Sequence, residues 1–118
     1  MTASPNPRLR EAAVLLQKTA KANDAEIWMK ASQLLSTSSK NKVEVNIGRL
    51  SRIAKKGDLV FVPGKVLGYG NLEDGIIVGA YSFSTSARSK LKASGGSALS
   101  IGDFVNKYPK GSGVRLVE

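Results

Sequence analysis

The spacing of apolar residues changes along this chain, from a helical repeat at the start to short alternating runs beyond it. Leu9, Ala12, Ala13, Leu16 and Ala20 recur at helical spacing. They predict a helix to about Ala22, with Asn6 as N-cap and Pro7 at the first helical position. Asn23 followed three residues later by Glu26 reads as a second cap, a variant of the capping box. Ile27, Ala31, Leu34 and Leu35 then mark one face of a second helix. Trp28 flanks that face and is expected to pack against the body rather than stack on a base. Ser36 to Ser39 form a polar break.

Val43, Val45 and Ile47 alternate as in a half-buried strand. Asn46 to Leu50 is expected to turn into a short helix carrying Arg49, Arg52, Lys55 and Lys56. The spacing predicts that Arg49, Arg52 and Lys56 share one face, with Leu50, Ile53 and Ala54 on the other and Gly57-Asp58 closing the helix. Residues 59–62 and 76–83 are β-rich, joined by a stretch holding Gly64, Gly68, Gly70 and Gly75. Ser84-Thr85-Ser86 caps a helix through Arg88, Leu91 and Lys92, ended by Gly95-Gly96. Ser100 with Asp103 resembles another capping box, for a helix bearing Ile101, Phe104 and Val105. A last strand runs from Val114 to Val117. The expectation is an α/β fold in one domain over residues 1–118: a loose start at 1–5, N-terminal helices in 6–36 and an α/β body in 40–118.

Composition narrows the chemistry. The 118 residues include no Cys and no His, which removes disulfides, thiolate nucleophiles, the common metal sites and the commonest general base. No catalytic residue, metal or cofactor is expected, and no small-molecule substrate. No run approaches the ~20 apolar residues of a membrane-spanning helix. The opening MTASPNPRLREA has no apolar core of a secretion signal, which argues for the cytoplasm.

Charge supplies the positive evidence. The net charge is +9 and the pI about 10.1. Self-repulsion on that scale calls for an anionic partner. Lys40, Lys42, Arg49, Arg52, Lys55, Lys56 and Lys65 lie in one segment, opposed only by Glu44 and Asp58. They interleave with apolar residues, so the charge sits on structured elements and can meet an ordered array of phosphates. Arg88, Lys90 and Lys92 fall in a stretch from Asp74 to Asp103 without an acid between, and Lys107, Lys110 and Arg115 form a third basic group.

Gly68-Tyr69-Gly70-Asn71-Leu72-Glu73 starts like a dinucleotide fingerprint but has Glu73 at the third glycine, and Gly64-Lys65 is followed by Val66, not Ser or Thr. The glycines instead permit close backbone approach, to RNA or to the protein's own neighbouring strands. The seven aromatic residues are spread singly. That favours structured RNA, recognised by shape and backbone, over a stacked single strand.

Three motifs go further. Val45-Asn46-Ile47-Gly48-Arg49-Leu50-Ser51-Arg52-Ile53, Val62-Pro63-Gly64-Lys65-Val66-Leu67-Gly68 and Gly111-Ser112-Gly113-Val114-Arg115 strongly resemble the L-eighteen-e family of large-subunit ribosomal proteins, archaeal and eukaryotic relatives of bacterial L-fifteen. Tyr81-Ser82-Phe83-Ser84 is similar to the family's strand-to-helix junction. The short chain resembles the archaeal members. Lys40-Asn41-Lys42 departs from a cluster that is often arginine-rich in the family. The resemblance implies an irregular superhelix of β-β-α turns after two helices. It also implies rRNA binding in the large ribosomal subunit beside neighbouring ribosomal proteins, without catalysis.

On this basis Arg49, Arg52, Lys55, Lys56 and Lys65 are expected to neutralise rRNA phosphates. Lys40, Lys42, Arg88, Lys90, Lys92, Lys110 and Arg115 are candidates for the same role, and Gly64 and Gly68 for close approach. Asn46 either hydrogen-bonds a 2′-hydroxyl or base edge or caps its own helix. The alternatives are a stand-alone nucleic-acid chaperone and, from another class, a small enzyme on phosphorylated substrates using Lys65, with Asp58, Glu73 and Asp74 as the nearby carboxylates.

Overall fold

One strand, Leu59–Leu67, is covered on both faces and organises everything else. The computed structural model describes residues 7–36 and 43–118. In chain order the elements are α1 (Pro7–Asn23), α2 (Glu26–Leu35), β1 (Glu44–Asn46), α3 (Ile47–Ile53), β2 (Leu59–Leu67), β3 (Ile77–Phe83), α4 (Thr85–Ala93), β4 (Ser97–Ser100), α5 (Ile101–Lys107) and β5 (Val114–Leu116). All strand pairs are parallel, in the order β1-β2-β3-β4. β5 joins β2 on the edge that β1 also uses: β1 pairs with Lys65–Leu67 and β5 with Leu59–Phe61. Consecutive parallel neighbours require the chain to return after each strand, so it coils as it advances. The α/β fold with two leading helices is as expected.

Strand alternation builds two cores from one sheet. Val60, Val62 and Val66 of β2 and Val78 and Ala80 of β3 face one way, under Ile47 and Leu50 of α3 and Ala87 and Leu91 of α4. Phe61 faces the other way, under Leu16 of α1, Trp28 of α2 and Phe104 of α5. Trp28 is fully buried. It stands edge-on to Phe61 and Phe104 at 5.1 and 6.0 Å between ring centres, and its Nε1 donates to the carbonyl of Pro109 at 2.8 Å. Packing, as the sequence suggests, is its role.

Pro63-Gly64 lies inside β2 and is no turn. The pairing with β3 skips between Val62 and Lys65, and on the other edge β5 stops at Phe61 before β1 begins at Lys65. A proline lacks the ladder N–H and is tolerated at such an irregularity. Gly64 is buried, its backbone is not left-handed, and Val43 fills the space where its side chain would stand. Of the two neighbours open to this glycine, the adjoining strand segment takes the place.

The return from β2 to β3 holds only residues 68–76. Because Leu59 pairs with Ile77, this segment must travel back along the whole of β2, about 27 Å at strand rise. Nine residues cover that only when nearly extended, which leaves no room for a helix. Leu72 and Ile76 tie the segment to the core beneath α3 and α4.

Local caps are borne out in part. Ser84 and Ser100 accept from the N–H groups of Ala87 and Asp103, at 3.1 and 3.2 Å. The Asn23–Glu26 capping box does not form: Asn23 donates its side-chain amide to the carbonyl of Thr19, Asp24 turns left-handed at φ 51°, and Ala25 is the cap of α2. Asn6 lies outside the described residues.

Candidate nucleic-acid interface

Helix α3 buries Ile47 and Leu50, which turns Arg49 and Arg52 outward. Arg49 donates from Nη1 to the backbone oxygen of Glu118 at 2.6 Å, tying the helix to the end of the sheet. The helix stops at Ile53, with Ala54 already extended. Lys55 and Lys56 therefore stand in a turn, where the Lys55 N–H donates to the Asp58 carboxylate and the Asp58 N–H to the Lys55 carbonyl. The expected helical face shared by Arg49, Arg52 and Lys56 is thus corrected to two arginines on α3 and two exposed lysines beyond it.

Helix α4 buries Ala87 and Leu91 on the same core and exposes Arg88 and Lys92, one turn apart. The Arg88 guanidinium lies 5.2 Å from the ring centre of Phe83. Both α3 and α4 start at the carboxyl ends of parallel strands and cover one face of the sheet, so their outer sides form one layer. Among the described residues no ion pair neutralises Arg52, Lys55, Lys56, Arg88 or Lys92. The helices on the opposite face mix signs more evenly: Arg8, Arg10, Lys18, Lys21 and Lys30 share α1 and α2 with Glu11 and Glu26, and Asp24 joins the two. Glu73 and Asp74 are exposed on the return segment.

Other expected site residues fall elsewhere. Lys65 is exposed between buried Gly64 and Val66, on the sheet face away from α3 and α4. Arg115 pairs in register with Val60 and so faces the α3 side, whereas Lys110 follows Pro109 in the turn that receives Trp28. The third basic group is thereby split across two faces. Asn46 occupies the N-cap position of α3, yet its exposed side chain makes no capping bond. Lys90 is half-buried and donates from Nζ to the carbonyls of Gly68 and Gly70, each at 2.6 Å. Its charge is held by the protein. Gly68 abuts Ser86 of α4. Lys40 and Lys42 lie outside the described residues.

These groups surround an open depression of about 670 Å³ at the carboxyl ends of the strands, lined by Gly68, Tyr69, Gly70, Asn71, Ser86 and Lys90. Tyr69, its one aromatic, escaped the sequence search, which looked for paired rings. The available signal was a ring set between two glycines. Among the described residues no group of His, Cys, Asp and Glu could hold a metal ion, and no helix is long and apolar enough to cross a membrane.

A cationic layer fixed on a parallel sheet is physical chemistry that unrelated proteins could share; similarity of sequence is more specific. The chain is 45% identical over 116 residues to large ribosomal subunit protein eL18 of Pyrobaculum aerophilum, covering 98% of this chain and 95% of that one. The eL18 proteins of Methanoregula boonei and Methanococcus maripaludis are 41% and 40% identical, each over at least 95% of this chain and 93% of their own. Residues 26–99, from α2 to β4, match the family model that describes the ribosomal proteins 50S-L15 and 50S-L18e together with their 60S counterpart. Fold, charge and near full-length similarity agree, and the chain belongs to this family of ribosomal proteins.

Proposed function

We infer that the chain is a structural, non-catalytic constituent of the large ribosomal subunit that binds and stabilises folded rRNA, beside neighbouring ribosomal proteins. It acts in the cytoplasm as part of the ribosome. The observation that carries the RNA contact is the unpaired cationic layer of α3 and α4. Arg52, Lys55, Lys56, Arg88 and Lys92 are exposed there, anchored over buried apolar residues. Fixed cations release counterions when they meet phosphates, and rigid placement selects a folded RNA whose phosphates fit. Arg49, already bonded to Glu118, adds its guanidinium at one edge, and Arg115 extends the same face. Asn46, free of a capping bond, supplies an amide for a 2′-hydroxyl or base edge. Lys65 and Lys110, on the other side, reach different RNA segments or protein neighbours.

Sucrose-gradient sedimentation of native lysate at moderate salt tests the assignment. The chain is expected with the large subunit. Recovery at the top of the gradient, with equal affinity for duplex DNA and rRNA in filter binding, favours the stand-alone nucleic-acid chaperone instead.

A further inference from the structure

Among the described residues Tyr69 is the only exposed aromatic, with 82% of its surface open, and yet the main chain beneath it is fixed. The carbonyls of Gly68 and Gly70 accept from Lys90 Nζ, and the carbonyl of Tyr69 between them accepts from the Gly48 N–H at 2.9 Å. Three consecutive carbonyls are therefore held from two helices. The flanking glycines are demanded by close packing, since a side chain on Gly68 would meet Ser86 and one on Gly70 would meet the Gly48 backbone. Their bareness leaves the Tyr69 ring without a side chain on either side.

The ring overlooks the depression that Asn71, Ser86 and Lys90 share. No carboxylate lines it. Asn71 offers a donor and an acceptor, Ser86 a hydroxyl, and Lys90 one ammonium proton beyond the two already used. The depression lies at the carboxyl ends of parallel strands, where open α/β sheets bind their ligands. A preorganised aromatic face, neutral hydrogen-bonding groups and a cation together match one nucleotide: a flat base, its polar edge or ribose, and its phosphate.

We propose that Tyr69 stacks on a single unpaired base of the rRNA, with Asn71 and Ser86 meeting its edge or ribose and Lys90 its phosphate. The proposal rests on the reading of the α3–α4 layer as the rRNA interface and adds a base contact to it. One ring serves one base; a single-stranded run needs successive rings. The nucleotide is therefore one extruded from a folded RNA, as in a bulge or loop.

The test is filter binding of the full chain to protein-free large-subunit rRNA, with Tyr69→Ala, Tyr69→Phe and Tyr69→Trp. Tyr69→Ala is expected to weaken binding by about 5- to 150-fold, the loss produced by removing one base–aromatic stack. Its melting temperature and salt slope should match the unaltered chain, because no core atom and no phosphate contact is lost. Tyr69→Phe and Tyr69→Trp should bind as the unaltered chain does. Base-specific chemical probing should find one unpaired base protected by the unaltered chain and open with Tyr69→Ala. Full affinity in Tyr69→Ala overturns the stack; if Arg52→Gln/Arg88→Gln/Lys92→Gln loses salt slope at the same time, the phosphate interface stands without it. Unaltered binding in both variants overturns both. Early melting of Tyr69→Ala, or no rescue by Phe and Trp, assigns the residue to the fold or to its hydroxyl. A loss seen only in the subunit with its other proteins, and never on bare rRNA, assigns the ring to a protein neighbour.

Discussion

The carbonyl of Val43 occupies the place where a side chain on Gly64 would begin, so β2 can pass this point only as glycine. The contact is with backbone, which cannot swing aside as a flexible side chain can. Gly64→Val is accordingly expected to destabilise the fold by at least about 1–3 kcal/mol through overpacking. That corresponds to a fall in melting temperature on the order of 5–15 °C. A thermal melt checks it, and molecules that remain folded should keep their rRNA affinity.

Lys90 holds the return segment from within. Lys90→Met keeps the aliphatic stem and removes the ammonium that the Gly68 and Gly70 carbonyls share. The expected loss is about 1–3 kcal/mol, the range for hydrogen bonds to a charged group. Hydrogen exchange should show faster exchange at residues 68–72 than in the neighbouring strands. Unchanged exchange there would mean that the segment is fixed by Leu72 and Ile76 alone.

Trp28 is the one tryptophan and is wholly enclosed. Trp28→Phe keeps an aromatic ring against Phe61 and Phe104 but leaves the Pro109 carbonyl without its donor. A destabilisation of about 1–3 kcal/mol is expected in denaturant titration. Tryptophan emission of the unaltered chain should be blue-shifted when folded and should not change on adding rRNA. Quenching by RNA would place Trp28 at the interface, against its burial.

What the sequence makes legible is mostly local. Ser84 and Ser100 cap helices within three residues of themselves, and the Ala13, Leu16 and Ala20 face follows from helical spacing alone. The continuity of β2 through Pro63-Gly64 is not legible, because it depends on where β5 stops and β1 begins on the same edge. The early end of α3 is hidden for a similar reason: the Asp58 carboxylate takes the Lys55 N–H and turns the chain before the helix can carry the lysines. Among the site residues, Arg49, Arg52, Arg88 and Lys92 are outward as spacing predicts. Lys90 stands at the same density of charge, yet its partners are carbonyls about twenty residues away that only the folded chain brings near.

The central claim is that the α3–α4 layer meets rRNA phosphates, and salt dependence reads it most directly. Affinity of the full chain for large-subunit rRNA should fall roughly 10³-fold between 50 and 200 mM salt if about six cations meet phosphates. Arg52→Gln/Arg88→Gln/Lys92→Gln should fold with stability within about ±0.5 kcal/mol per site, since the three side chains are exposed. Its log–log slope should be shallower by about 2–3. Lys18→Gln/Lys21→Gln/Lys30→Gln, on the mixed-sign helices of the opposite face, should keep the full slope. A nearly flat plot for the unaltered chain, or a slope lost with the α1–α2 variant and kept with the α3–α4 variant, would contradict the account.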